Sequence, residues 1–384
     1  MRKYIFKKKL NTIIVSIIDF FGNFFLKVKK KKIDITNIKK ILVVRLDHLG
    51  DIVTSIPVYG QLKKNFPHWQ VSVLTSSEGR EIFLNNPFID KVITFSCPWF
   101  NRNYKKWHLK DFFYLRKILL NENFDCALEL RGDIRNIFLL KLCGIKNIIG
   151  YGITGGGFLL TVELLWKKSL HAVDKNLAVL EGLRLKYSSE LPKIYWDEDE
   201  KELKDAYRLL EISNDKNLIV TYHLDSGVET RRWPLEKFLD LIEKVSNSFK
   251  VKTVIIGKRE IAGLQKLDAL SLIGKTTLRQ LIHVIRLSSL LVTNESGPAH
   301  IAAAVGTPVV IIWGGSTDPR IWAPKGKNVE IIHKDVDCQF CEKEKCSSMK
   351  CLKMISVEDV FLVIKKLLSN MVKDENRYRC ENDR

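Results

Sequence analysis

The chain has 384 residues, 46% hydrophobic and 28% charged, a balance ordinary for a soluble globular protein that buries full cores in two or three domains. Its formal net charge of +19 is not ordinary, and twelve Lys/Arg against two Asp leave +10 of it in residues 1–40. Such an excess fits an acidic partner (a nucleotide, a phosphorylated glycolipid or an anionic membrane face), but without a reader motif or interleaved aromatics it does not indicate nucleic acid.

The first element is an apolar stretch, Leu10–Val28. Thr12, Ser16, Asp19, Asn23 and Lys27 fall at spacings of three and four, one polar stripe on a helix. Ile13, Ile14, Ile17, Ile18, Phe20, Phe21, Phe24 and Phe25 make up the other side, and Lys7–Lys9 and Lys29–Lys32 flank the stretch. This pattern reads as an amphipathic helix lying on an anionic membrane surface. A helix docked on the protein itself and a true membrane span are the competing readings. Asp19 argues against the span, because it would sit in mid-bilayer. No small-residue cleavage site of a signal peptide follows.

From Lys40 the chain alternates strand and helix, the signature of parallel sheets covered on both faces. Expected strands are Ile41–Arg45, Val71–Leu74, Val92–Phe95, Cys126–Leu130 and Ile148–Tyr151. Gly50 gives a tight turn after the first, and a helix runs from Ile52 to about Asn65. Asp51 is placed there either as a helix cap or as a site carboxylate, with Asp47 and His48 on the same loop. Arg131 and Arg135 follow the strand ending at Leu130, and Gly155-Gly156-Gly157 marks a loop beside them.

Pro192–Glu200 is polar and acidic, the candidate linker. The alternation then restarts with strand Leu218–His223, helix Leu235–Ser248, strands Lys252–Ile256 and Leu270–Ile273, and helix Leu278–Leu287. The segment from Leu290 parses as strand, polar turn, helix, strand and Gly-rich turn. Ser296-Gly297 with Pro298 opens the helix, which presents free N–H groups and a positive dipole end suited to phosphate. His300 lies in its first turn. The two halves show no sequence repeat, and neither a Gly-x-Gly-x-x-Gly fingerprint nor an Asp-x-Asp pair occurs in the roles of dinucleotide or metal-nucleotide binding. Cys338, Cys341, Cys346 and Cys351 form Cys-x2-Cys-x4-Cys-x4-Cys, a spacing that can close a tetrahedral zinc site or remain reduced thiols. Asp374–Arg384 is a charged end segment.

Three strings resemble glycosyltransferase family 9, the ADP-heptose:lipopolysaccharide heptosyltransferases, in the family's order. Gly50-Asp51 with Pro57 matches a Gly-Asp-x5-Pro motif. Ser226-Gly227 through Arg231-Arg232-Trp233-Pro234 matches a loop ending Lys-x-Trp-Pro, with Arg231 in the Lys position. Glu295-Ser296-Gly297-Pro298-Ala299-His300, then Gly314-Gly315-Ser316-Thr317-Asp318-Pro319, matches the donor signature, with Glu295 where Asp is usual. The resemblance spans about residues 40–365. It implies an α/β, GT-B type fold, two Rossmann-like parallel-sheet domains facing a cleft. The division is a basic segment 1–38, an acceptor-binding domain 39–195, a nucleotide-sugar-binding domain 196–365 with the Cys-rich segment, and a tail 366–384.

The resemblance further implies an inverting, metal-independent transfer in which Asp51 is the general base. Arg231 binds the donor pyrophosphate, and Ser226 and Gly227 contact its phosphates. Glu260, in Gly257-Lys258-Arg259-Glu260, holds the ribose; Glu295, Ser296, Gly297, Pro298 and His300 place the donor; and Arg131 and Arg135 face an acidic glycolipid acceptor. No cofactor is required for catalysis, and any zinc at the Cys cluster would be structural. The expected place is the inner face of the cytoplasmic membrane. The other readings are another sugar or a surface-polysaccharide acceptor, and a non-catalytic sugar-nucleotide or nucleic-acid binding protein; the joint presence of Asp51 and Arg231 favours an enzyme.

Overall fold

The computed structural model describes residue 4 and residues 9–26, 28–100, 108–212 and 218–382, without the side chains of residue 9 and of the last nine. The chain divides into two compact units, Met1–Trp196 and Asp197–Arg384. Each is built on a six-stranded sheet. The first holds β1 (Lys40–Arg45), β2 (Gln70–Thr75), β3 (Lys91–Thr94), β4 (Cys126–Glu129), β5 (Asn147–Tyr151) and β6 (Val162–Leu164), in the order β3-β2-β1-β4-β5-β6. The second holds β7 (Leu218–His223), β8 (Val251–Ile256), β9 (Leu270–Ser271), β10 (Leu290–Asn294), β11 (Val309–Ile312) and β12 (Val329–Ile332), in the order β12-β11-β10-β7-β8-β9. Every pairing is parallel. Counted from its own first strand, each half therefore has the order 3-2-1-4-5-6, the doubly wound plan. The topology repeats although the sequence does not.

The strands are Val/Ile/Leu runs because helices cover both faces. Ile41, Leu42 and Val43 in β1 and Leu290, Leu291 and Val292 in β10 are all fully buried. The expected strands all occur, with ends moved by one or two residues. The short edge strands β6 and β12 had no pattern of their own in the sequence. The helix after β1, α2 (Leu49–Asn65), begins three residues earlier than expected, with His48 as its N-cap. Asp51 is thus in the first turn of α2, where a carboxylate faces the positive end of the dipole, and not the cap.

The expected linker is anchored at both ends. Ile194 is fully buried in the first unit. In the second, Glu200 pairs with two buried side chains, Arg279 (2.5 and 2.9 Å) and His283 (2.7 Å). The last helix, Val357–Asn382, runs through residue 366, where the charged tail was expected to begin. The reason is apolar: Val360, Ile364 and Leu368 are fully buried in the second core, so the unit ends later than its charge pattern suggested.

The N-terminal helix, α1 (Lys9–Phe25), is docked on the first unit. Val15, Asp19 and Gly22 form its buried edge. The Ile/Phe side is exposed, with Phe24 at 78%. Of the polar stripe only Asp19 is buried, with Val15 and Gly22 beside it, while Ser16 and Asn23 stay exposed on the flank. Among the described residues no helix is long and apolar enough to cross a membrane.

Burial alone would raise the Glu200 carboxyl, but the hydrogen bonds from Arg279, the Asp197 backbone and His283 carry it down to about 2. A depressed folded pKa gives stability that is complete above the unfolded value of about 4.3 and is lost as pH falls through about 2. Glu200→Ala leaves Arg279 buried without its partner. It should cost about 2–3 kcal/mol in urea unfolding at pH 7, less than a fully dry pair because solvent reaches Glu200. It should also flatten the loss of stability between about pH 5 and pH 2. An unchanged acid limb in the variant would show that this pair does not set it.

Candidate active site

In a doubly wound sheet the chain leaves the two central strands toward opposite sides, and the strand ends there stay open to a ligand. The first unit places α2 after β1 and the loop Leu130–Arg135 after β4 at this point. Arg45, the last residue of β1, is nearly buried and pairs with two carboxylates: its Nε lies 2.9 Å from Asp47 Oδ1 and its Nη2 lies 3.1 Å from Asp51 Oδ1. From the β4 side, Arg131 donates to Asp47 Oδ2 at 2.6 Å. Asp47 is thus gripped by two guanidinium groups, and its side chain is only 1% exposed. Asp51 has one such partner and is 23% exposed, so of the two it is the carboxylate that an incoming hydroxyl can reach.

Arg135 forks onto Asp133 at 2.7 and 2.8 Å, which makes a charge-paired rim and not a bare cationic patch. The Arg131 guanidinium lies 4.3 Å from the centre of the Phe100 ring, and Arg135 lies between Phe100 and Trp99. Two residues not foreseen from the sequence fix this arrangement. Asn176 accepts from Arg45 Nη1 at 3.2 Å and donates to Thr54 Oγ1 at 3.1 Å, tying the guanidinium to the helix that carries Asp51. Glu129, fully buried, accepts from Asn136 at 2.8 Å and from the Gly132 backbone, and so shapes the loop that holds Arg131. Burial pushes its carboxyl up to about 7. His48 is exposed and caps α2 only through its backbone position.

In the second unit the corresponding strand ends are those of β7 and β10. Glu295, nearly buried just after β10, is the hub. Its Oε1 lies 3.0 Å from Arg231 Nη1, its Oε2 accepts from Thr317 at 2.7 Å, and its carbonyl accepts from Ser226 Oγ at 3.0 Å. Burial raises the Glu295 carboxyl, while Arg231 and Thr317 oppose that rise. Asn294 clamps the loop after β7, donating to the Leu224 carbonyl and accepting from the Trp233 amide, both at 2.9 Å. Two of the three expected strings, the loop through Arg231–Pro234 and both parts of the donor signature, are thereby joined through one pair of adjacent residues, Asn294 and Glu295.

The helix Gly297–Val305 starts with Pro298 in its first turn, and Ser296 makes no side-chain cap to it. The Ser296 hydroxyl lies instead against Thr293 (2.9 Å) and His223 (3.2 Å). Burial lowers the His223 imidazole to about 4, so it is neutral at pH 7. The helix start thus keeps N–H groups turned to the strand ends, the arrangement that binds phosphate. His300 lies in the same turn. Gly227 lies on the loop with Ser226, while Glu260 stands exposed on the loop after β8, one strand over and outside the hydrogen-bonded group. Gly314 has a steric reason to be glycine: an added Cβ would lie 2.7 Å from the Thr230 carbonyl oxygen.

Among the described residues no three His, Cys, Asp or Glu side chains come together as a metal site; Cys338 and Cys341 are exposed and Cys346 and Cys351 half-buried. The Cys-rich segment acts through its backbone. The amides of Phe340 and Glu342 donate to Gly315 (2.5 Å) and Ser316 (2.8 Å), and the Lys343 carbonyl accepts from Thr230 at 2.6 Å. It is a strap across the Gly314–Thr317 loop.

Residues 112–352 match the family model described as glycosyltransferase family 9 (heptosyltransferase). The chain is 26% identical to lipopolysaccharide heptosyltransferase 3 of Escherichia coli K12 over 341 residues, covering 83% of this chain and 95% of that protein. Among solved structures it is similar to a family 9 glycosyl transferase from Veillonella parvula, with a TM-score of 0.75 at 21% identity, covering 89% of this chain and 100% of that one. It is also similar to the E. coli ADP-heptose LPS heptosyltransferase II, with a TM-score of 0.71 at 19% identity, covering 86% and 99%.

The Arg231–Glu295 pair beside an open helix start generates a binding prediction. Arg231→Ala should weaken nucleoside diphosphate binding at least about tenfold, as a lost charge-assisted contact implies, and Arg231→Lys should recover much of it. Titration calorimetry reads this directly. Equal ADP affinity in wild type and the Ala variant would put Arg231 outside the donor site.

Proposed function

Because the chain belongs to glycosyltransferase family 9, we propose that it transfers a heptose from an ADP-sugar to the core of a lipopolysaccharide. The observation that carries this reading is the cluster at β7 and β10. An arginine, a buried glutamate and an uncapped helix start converge where a diphosphate and its sugar would lie. The names of the relatives supply the sugar and the acceptor: lipopolysaccharide heptosyltransferase 3 and the ADP-heptose heptosyltransferase II.

In the proposed step, Asp51 takes the proton from the acceptor hydroxyl while that oxygen attacks the anomeric carbon. The bond from the anomeric carbon to the diphosphate oxygen breaks on the opposite face, so the configuration inverts and ADP leaves with the electron pair. Arg231 and the N–H groups at Ser296–Gly297 carry the charge that builds on the departing diphosphate, the role a divalent cation fills in other transferases. Glu295 orients Arg231 and, through Thr317, the Gly-rich loop; His300, Ser226 and Gly227 contact the donor, and Glu260 closes on the ribose. Arg131 and Arg135 meet the acidic groups of the acceptor, exchanging Asp133 for them in the case of Arg135. Such an acceptor is lipid-linked, so the enzyme works as a peripheral protein at an anionic membrane, on its cytoplasmic side where nucleotide sugars are made.

Asp51→Asn tests the step. Loss of a general base typically costs about 10²–10⁴ in rate. We expect a turnover lower by that factor with ADP affinity unchanged, measured as ADP release with an ADP-heptose donor and a heptose-free core acceptor. A near wild-type turnover would leave Asp51 a helix residue only. A panel of nucleotide sugars in the same assay checks the donor: preference for a UDP- or GDP-sugar would overturn the ADP-heptose assignment.

A further inference from the structure

α1 carries a large exposed apolar face. One turn of 3.6 residues puts Val15, Asp19 and Gly22 on one side and Ile13, Ile17, Phe20, Phe21, Phe24 and Phe25 on the opposite side. The inward side is built for its mount. Asp19 Oδ1 accepts from the Gly156 amide at 2.8 Å, and Asp19 Oδ2 accepts from Tyr4 at 2.7 Å. At Gly22 any Cβ would lie 2.3 Å from the Phe158 ring, so glycine lets that ring seat against the helix. Just past α1, Val28 donates to the Phe158 carbonyl at 2.9 Å, and Lys30 reaches the carbonyls of Gly157 (2.5 Å) and Leu160 (3.0 Å). A glycine inside a helix costs about 1 kcal/mol relative to alanine, and a buried carboxylate costs more unless paired. The chain holds this helix against the protein by the edge Val15, Asp19 and Gly22 and leaves the Ile/Phe face outward.

The mount is the loop that braces the acceptor side. Thr154 accepts from the Ile134 amide at 2.9 Å and donates to the Gly132 carbonyl at 3.0 Å, and Gly155 and Gly156, both at positive φ, pack on Ile134. Residues 131–135 are the segment that carries Arg131 and Arg135. Charge decides what covers the outer face. Lys29, Lys31 and Lys32 are exposed at one end of the helix, and in the sequence Lys7 and Lys8 precede it and Lys9 opens it. A second copy laid on this face, parallel or antiparallel, would set basic run against basic run. An anionic lipid surface complements both runs and takes up the Ile/Phe side between them.

We propose that α1 is a preformed membrane foot, fixed through Asp19 and Gly22 on the acceptor-side loop, whose Ile/Phe face is the lipid-contacting surface of the protein. This rests on the reading of a lipid-linked acceptor and adds where and how the bilayer is met. Since foot and acceptor loop are one packed piece, the membrane surface has a fixed position relative to Arg131.

Flotation with vesicles of phosphatidylglycerol and phosphatidylethanolamine tests the face, and amide hydrogen exchange tests the mount. Full-length protein should float, more weakly at high salt but still measurably, because the apolar part of the contact is not screened. Replacing Phe20, Phe21, Phe24 and Phe25 by Ser should lower vesicle partitioning at least about a hundredfold. In wild type the Gly156 amide should stay protected with or without vesicles. Asp19→Leu should still float but lose that protection. Flotation of the four-Ser variant equal to wild type overturns the lipid-contact assignment. So does a concentration-dependent dimer without vesicles that the four-Ser variant abolishes. Loss of Gly156 protection in wild type on vesicle binding overturns the fixed mount. None of these readouts needs transfer of sugar, so a failure of the proposed reaction would show in the ADP-release assay and leave them intact.

Discussion

Everything functional in this chain follows from where parallel strands reverse their order. At β1/β4 and again at β7/β10, the connections leave neighbouring strands in opposite directions, and no helix can close the gap at their carboxyl ends. Backbone and side chains there must be satisfied by one another. Both units solve this with guanidinium–carboxylate pairs: Arg45 with Asp47 and Asp51, and Arg231 with Glu295. The sheets supply rigidity, and the pairs supply direction.

The pairs differ in what they leave accessible. In the first unit Arg45 and Arg131 both pair with the buried Asp47, so its charge is spent on holding the loop, while Asp51 is held by a single ion pair at the start of α2. In the second, Glu295 is the buried member and Arg231 the more accessible one, at 32%. One site offers a carboxylate and the other a cation. In the proposed transfer the first serves as base for a hydroxyl and the second as counter-charge for a diphosphate. Removing either buried partner would leave a charge uncompensated, which explains why the buried member of each pair is also tied by neutral donors and acceptors such as Thr317.

What the sequence made legible was local. A strand, its turn and the following helix are contiguous, so Gly50-Asp51, Arg231-Trp233 and Glu295–His300 could be read as strand-end strings. The parallel architecture followed from alternation alone. The rest depends on partners far apart in the chain. Asn176 meets Arg45 across 131 positions, and Asp19 meets Gly156 across 137, and no periodicity announces either contact. The polar stripe of α1 was visible, but not that Asp19 alone of it would be buried against the protein, since a polar residue reads the same whether it meets water or a buried loop. Four cysteines at metal-like spacing left the segment's role open, because spacing does not fix where thiols point. The chain uses that segment for its amides, as the contacts of Phe340 and Glu342 show. β6 and β12, three and four residues at sheet edges, were too short to carry a pattern.

The repeated 3-2-1-4-5-6 order has a consequence for how such a molecule changes over generations. Each half owns a complete core, a complete sheet and its own charge pair, and the two are joined in sequence only once, at residues 196 and 197. A substitution in the core of one half acts on that half's own sheet. On the proposed reading, altered cargo and altered destination arise as separate inheritable events, and a lineage can try new combinations of the two without passing through an unfolded ancestor.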